Sequence, residues 1–220
     1  MLHTNLSVSY IVREPKNVKA SNPLILLLHG YGSNDEDLFS FEGELNEDAY
    51  IVSARAPHAL PGGYGFAWYA INFDADMNKF TDDNQAKASR DLIATFIDEL
   101  AATYPIDKND VTLIGFSQGA ILSYAIALTH PEKIKNIVAL SGYFHHEIMP
   151  EGYQNDPKVK QVNIFASHGT VDQVIPIELA RKTPQIFKDF GKEIEYREYP
   201  VGHGVAPQNF HDFNTWLKNN

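Results

Sequence analysis

Three kinds of side chain in this sequence could together form and break a covalent bond: a serine, a histidine and an aspartate, each set beside glycine or a turn. The serine lies in VTLIGFSQGA, residues 111–120, as Gly115-Phe116-Ser117-Gln118-Gly119. A β-branched apolar run stops at the first glycine. A serine hydroxyl is a poor nucleophile until a neighbouring base takes its proton. The pattern Gly-x-Ser-x-Gly arises by chance in roughly one chain in fifteen of this size. Alone it decides little, and it reads equally as a helix N-cap serine followed by small packing residues.

A base is available in Pro200-Val201-Gly202-His203-Gly204, where flanking glycines free the backbone to project the imidazole. An imidazole titrates near neutrality and suits proton abstraction from serine. His211, inside a predicted terminal helix, is a weaker candidate. His130, just before Pro131, fits a favourable charge at a helix C-terminus. The acid is expected at Asp172, in SHGTVDQVIP (residues 167–176), where its carboxylate would fix the imidazole tautomer; the plainer reading is a turn aspartate. Acyl transfer also needs two donors for the developing oxyanion. One is expected to be the backbone N–H of Gln118, next to the nucleophile, with its side chain idle. The other is expected at Tyr31, in His29-Gly30-Tyr31-Gly32. His29 reads as a hydrogen-bonding brace for that loop rather than as a base. The chain order serine, acid, histidine is that of α/β-hydrolases.

These residues need elements to place them. Leu6–Val12 reads as a strand, Leu24–Leu28 as a strand buried on both faces, and Tyr50–Ala54, Val111–Phe116, Ile134–Leu140, Val162–Ala166 and Ile194–Tyr199 as further strands. A short helix is expected over 33–45. The clearest helix is Asp82–Tyr104, with Asp82 and Gln85 as a capping pair and Ile93, Phe96, Ile97 and Leu100 on one face. Gly119–Leu128, Pro176–Phe190 and Pro207–Leu217 also read as helices. Such alternation predicts a mostly parallel sheet with helices on both faces, a single domain over residues 1–220, and ligand chemistry at the carboxyl ends of the strands.

Composition narrows the function. The net charge is −10, which argues against nucleic acid and against docking on anionic lipid. There are no cysteines, so disulfides and thiolate chemistry are excluded. The start, MLHTNLSVSYIVREP, lacks a basic stretch followed by an apolar one, so no signal peptide is expected. The longest aliphatic run, Leu24–Leu28, is too short to span a bilayer. A cytoplasmic protein without stable membrane insertion is the expectation. His145-His146-Glu147 invites a metal reading, but adjacent residues do not converge easily on one ion; a solvated loop is expected and no metal is needed. His168 reads as a packing or hydrogen-bonding neighbour of the acid. Phe144 or Ile148 is expected to line the substrate cleft.

The segments LLLHGYGSN, GFSQGA, SGYF, ASHGTVDQVIP and GHG, spread from residue 26 to 204, resemble the carboxylesterase/phospholipase family of α/β-hydrolases, which includes the acyl-protein thioesterases. The resemblance implies an α/β-hydrolase fold, a triad of Ser117, Asp172 and His203, oxyanion donors at Tyr31 and Gln118, and no cofactor. It implies hydrolysis of carboxylic esters with short to medium acyl chains, with an acyl-protein thioesterase or lysophospholipase-like activity as the alternative. The substrate would be a small or lipid-like ester or an acylated protein. Bacterial members are often homodimers, so a homodimer is allowed. Segment 61–73, PGGYGFAWYAINF, departs from the family in its glycine and aromatic content; at least one of Tyr64, Phe66 and Trp68 is expected as a wall of an acyl pocket, against the simpler reading that Trp68 and Tyr69 pack under the loop. Two rivals stay open: a peptidase or amidase on this fold, and a binding protein that lost catalysis.

Overall fold

Residues 24–28 alternate between two separate cores. Leu24, Leu26 and Leu28 face one, and Ile25 and Leu27 face the other. A strand with no polar face must be covered twice, and the rest of the chain supplies both covers. The computed structural model describes residues 1–73 and 79–220.

A seven-stranded sheet runs through the centre. Its strands are β1 (Tyr10–Arg13), β2 (Asn22–Leu28), β3 (Tyr50–Ala54), β8 (Ile106–Phe116), β9 (Asn136–Leu140), β10 (Asn163–Gly169) and β11 (Glu195–Tyr199). The spatial order is β1-β3-β2-β8-β9-β10-β11. Only β1 is antiparallel to its neighbour, pairing Tyr10 with Ala54; the other pairs are parallel. Two small antiparallel hairpins join β3 to the first helix: β4 (His58–Ala59) with β5 (Phe66–Ala67), and β6 (Ile71–Phe73) with β7 (Lys79–Thr81).

Helices α1 (Asp83–Thr103), α2 (Gln118–Thr129) and α3 (Ile177–Asp189) cover one face, through residues such as Phe96, Leu122 and Phe187. Helix α4 (Pro207–Leu217) covers the other with a short 3-10 turn at Leu38–Glu44, through Phe213 and Leu38. The capping pair expected at the start of α1 is half formed. The Asp82 carboxylate accepts the Gln85 N–H at 3.0 Å, but the Gln85 side chain turns away and accepts the N–H of Ala70 at 2.9 Å. The first strand is shorter than expected, because only Tyr10–Arg13 meet β3.

The order of strands fixes where a site can form. From β2 the chain moves outward to β3, whereas β8 lies on the opposite side of β2. The loops leaving the carboxyl ends of β2 and β8 therefore lead toward opposite edges of the sheet, the setting in which parallel α/β sheets place their ligands. Those loops begin at His29 and Ser117.

Candidate active site

Ser117 sits at φ 53°, ψ −113°, between β8 and α2. A serine gains nothing from that conformation, which costs on the order of 1–3 kcal/mol unless its surroundings enforce it. They do. The Ser117 N–H donates to the Leu140 carbonyl at 2.9 Å, and its carbonyl accepts the Ile121 N–H at 3.1 Å to start α2. Glycine is required on both sides because of close approach: a Cβ at Gly115 would overlap the Gly119 carbonyl, and one at Gly119 the Leu28 carbonyl. The turn thus lifts Ser117 above the sheet edge.

His203 lies in the loop after β11. That loop is tied to the one after β10: Thr170 N–H donates to Tyr199 O at 2.8 Å and Val171 N–H to Val201 O at 3.2 Å. This pairing brings His203 beside Asp172. The structure places His203 Nε2 3.0 Å from Ser117 Oγ and His203 Nδ1 2.7 Å from Asp172 Oδ2. An ionised carboxylate only accepts, so Nδ1 carries the proton and Nε2 offers its lone pair to the serine hydroxyl. Phe116 packs on the imidazole, ring centroids 4.9 Å apart.

The Asp172 side chain is fully buried. Burial opposes its charge, but the Ile175 N–H (3.0 Å), the His203 imidazole and the Val174 N–H (2.8 Å) outweigh it and hold the carboxyl below its ordinary pKa. His168, also buried, contributes a further contact: its Nε2 lies 2.9 Å from the Ile175 carbonyl and 3.3 Å from Asp172 Oδ2.

Tyr31 lies in the loop after β2, and Gln118 opens α2. Gly30 rests on the serine turn, where a Cβ would stand 3.3 Å from Ser117 Cβ. The loop is pinned through Gly32 N–H to Phe66 O (2.9 Å) and Phe66 N–H to Ser33 O (2.8 Å). Among the described residues, the N–H groups of Tyr31 and Gln118 have no protein acceptor. His29 is buried, and burial lowers its pKa against the opposing hydrogen bond to the Gly30 carbonyl. Its Nε2 accepts the Ala56 N–H at 3.1 Å, so the ring is neutral and braces the loop.

A profile of the phospholipase/carboxylesterase family matches residues 10–220. The chain belongs to that family. This phospholipase/carboxylesterase family member is a hydrolase of carboxylesterase/thioesterase type. It is 29% identical to acyl-protein thioesterase 1 of Candida albicans, over 97% of this chain and 98% of the relative. It is 24% identical to a probable carboxylesterase of Oryza sativa subsp. japonica, over 89% and 76%. Its fold is that of the α/β-hydrolases. The carboxylesterase from Mesorhizobium loti superposes with a TM-score of 0.83 at 20% identity, over 100% of this chain and 99% of that one. Zea mays acyl-protein thioesterase 2 gives 0.74 at 20% identity, over 96% and 97%.

In this family member the side chains expected around the substrate divide. Tyr64 is 77% exposed and borders, with Phe66, an open cavity of about 450 Å³ beside Gly32. Trp68 is not a cleft wall. It is wholly buried, its indole N–H donating to the His29 carbonyl at 3.0 Å. Phe144 and Ile148 are core residues as well; Phe144 packs against Tyr124, Tyr153 and Phe187. The Gln118 side chain is not idle: its Oε1 accepts the Trp68 N–H at 2.9 Å and its Nε2 donates to Tyr69 O at 2.7 Å. His146 and Glu147 are exposed, while His145 is partly buried, 2.8 Å from Asp83 and 3.3 Å from Glu147.

Sequence reasoning missed Arg55, which pairs with the buried Asp35 and stacks on Phe66, 4.8 Å from the ring centroid. A larger cavity of about 910 Å³ opens at the amino ends of the strands, near Arg13, Asn46 and Lys135, and contains none of the triad candidates. Among the described residues no group of three or more His, Cys, Asp or Glu is placed to hold a metal ion. Nor is any described helix long and apolar enough to cross a membrane.

Proposed function

We propose that this chain is a serine esterase that cleaves carboxylic esters of short to medium acyl chain through an acyl-enzyme. The observation that carries the reading is the continuous hydrogen-bonded line from Asp172 through His203 to Ser117. In it, His203 Nε2 takes the hydroxyl proton as Ser117 Oγ attacks the acyl carbonyl. The imidazolium that forms is held by the Asp172 carboxylate. Negative charge on the former carbonyl oxygen is met by the Tyr31 and Gln118 N–H groups, and the Gln118 donor gains from standing at the start of α2. His203 then returns its proton to the leaving alcohol. Water, deprotonated by His203, attacks the acyl-serine; the bond to Ser117 Oγ breaks as His203 returns the proton to that oxygen, and the carboxylic acid leaves.

One observation favours a second reading, hydrolysis of acyl thioesters on proteins: the likeness to the Candida albicans acyl-protein thioesterase 1 along almost the whole chain. A thiolate leaves without prior protonation more readily than an alkoxide, so the same residues serve. Amide cleavage has the poorer leaving group and depends more on protonation of the leaving amine by His203. Rates on a p-nitrophenyl ester, a matched thioester and a matched anilide separate the three. Ester or thioester turnover should run far above that of the anilide, and a faster anilide reaction contradicts the proposal.

A further inference from the structure

The two oxyanion donors proposed above belong to different parts of the fold. Tyr31 sits in the loop after β2, and Gln118 begins α2. Their separation must be held to within a fraction of an ångström for both to reach one oxygen. The β2–β8 ladder ties the two segments together as far as Leu28 and Gly115, and Gly30 and Gly119 bring them into close apolar approach just beyond it. Past the end of that ladder, hydrogen bonds link the two loops through a third residue, Trp68.

Its indole N–H donates to the carbonyl of His29, two residues before Tyr31, at 3.0 Å. Its backbone N–H donates to the side-chain oxygen of Gln118 at 2.9 Å. The Gln118 amide closes the link on the next residue by donating to Tyr69 O at 2.7 Å. The Trp68 carbonyl is held in turn by the hydroxyl of Ser89 on α1, at 2.5 Å. Both polar ends of Trp68 are thus committed, one to each arm of the oxyanion site. No atom of the residue is free to meet substrate, because it is wholly buried. The His29 ring packs beside the indole, tilted at 36° with centroids 5.6 Å apart, and fixes the loop from the other side through Ala56.

We propose that Trp68 is a positioning residue for the reaction: through His29 and Gln118 it sets the spacing of the two oxyanion donors. The inference rests on the oxyanion reading of Tyr31 and Gln118 given above. It explains why a residue suited by type to line an acyl pocket is buried beneath the loop. It also gives the Gln118 side chain a role distinct from that of its backbone.

Trp68→Phe tests this, since phenylalanine fills most of the volume but has no donor for the His29 carbonyl. Displacement of a catalytic group by about 1 Å costs about 100-fold. The expected result is therefore a 10- to 100-fold fall in kcat on a p-nitrophenyl ester with KM changed less than about threefold. An aryl trifluoromethyl ketone, which forms a tetrahedral oxyanion on serine, should lose affinity by the same factor as kcat/KM. Gln118→Met removes both side-chain bonds at similar volume and should give the same signature, which keeps the test open if the tryptophan variant folds poorly. A folded Trp68→Phe with wild-type kcat overturns the inference. So does a variant whose kcat falls while its affinity for the ketone holds. Ser117→Ala, assayed in parallel, isolates the underlying reading: if it retains activity, the serine mechanism itself is wrong, and the positioning role falls with it.

Discussion

Asp172→Asn changes one atom and should disable the site by reversing a single hydrogen bond. Asp172 Oδ1 accepts two backbone donors, from Val174 at 2.8 Å and Ile175 at 3.0 Å. An asparagine nitrogen there would face two N–H groups, so the amide oxygen takes that position and the NH2 turns to His203 Nδ1. That nitrogen must then accept rather than donate. The imidazole proton moves to Nε2, the atom 3.0 Å from Ser117 Oγ, and a protonated Nε2 cannot take the serine proton. The wrong tautomer costs about 10⁴ in kcat in the well-studied serine proteases. At about 1.4 kcal/mol per factor of ten, that is about 5.5 kcal/mol of transition-state stabilisation. Steady-state hydrolysis of p-nitrophenyl butyrate at pH 7.5 measures it, and the ¹⁵N shifts of His203 report the tautomer. A folded Asp172→Asn enzyme within tenfold of wild type would refute the reasoning, as would an unchanged tautomer beside a large loss of rate.

Other consequences can be checked as directly. Gly119→Ala should lower stability by about 1–3 kcal/mol, through overlap with the Leu28 carbonyl, while Gly43→Ala, with nothing within 4 Å of its Cβ, should be nearly neutral; urea denaturation compares them. Phe213→Ala, which empties a wholly buried site under α4, should cost about 3–5 kcal/mol in the same assay. The lowered pKa of His29 means the unfolded chain binds a proton there first on acidification. Its contribution to stability is complete above the ordinary value of 6.5 and is lost as the pH falls below it toward the depressed folded value. Unfolding free energies measured from pH 7.5 to 5 should show that decline in the wild type and a shallower one in His29→Asn; equal slopes contradict it.

The parts of the fold with a strong local signal were legible before any coordinates. The aliphatic run at Leu24–Leu28 announces a strand covered twice, and the periodic face of α1 announces a helix. Glycines 115 and 119 mark a tight strand-to-helix turn. The loops that bring Ser117, Asp172 and His203 within hydrogen-bond distance were legible for the same reason, since each follows a readable strand. Trp68 was not legible, because nothing in a glycine-rich loop with no period says which way an aromatic ring turns. Its partners, His29 and Gln118, lie 39 and 50 residues away in sequence. The surroundings of Phe144 and His145 were illegible likewise: one is drawn into the core by Tyr124 and Phe187, the other is held by Asp83, 62 residues away. Polar residues paired across such distances leave no mark in local sequence.

If the serine mechanism holds, Ser117 carries the acyl group during turnover. Rapid acid quench of the enzyme with a p-nitrophenyl ester, followed by peptide mass spectrometry, tests it most directly. An acyl mass increment is expected on the peptide containing Ser117, absent from Ser117→Ala, which should also be inactive and unlabelled by a fluorophosphonate. An acyl adduct on another residue, or undiminished turnover by Ser117→Ala, would contradict it.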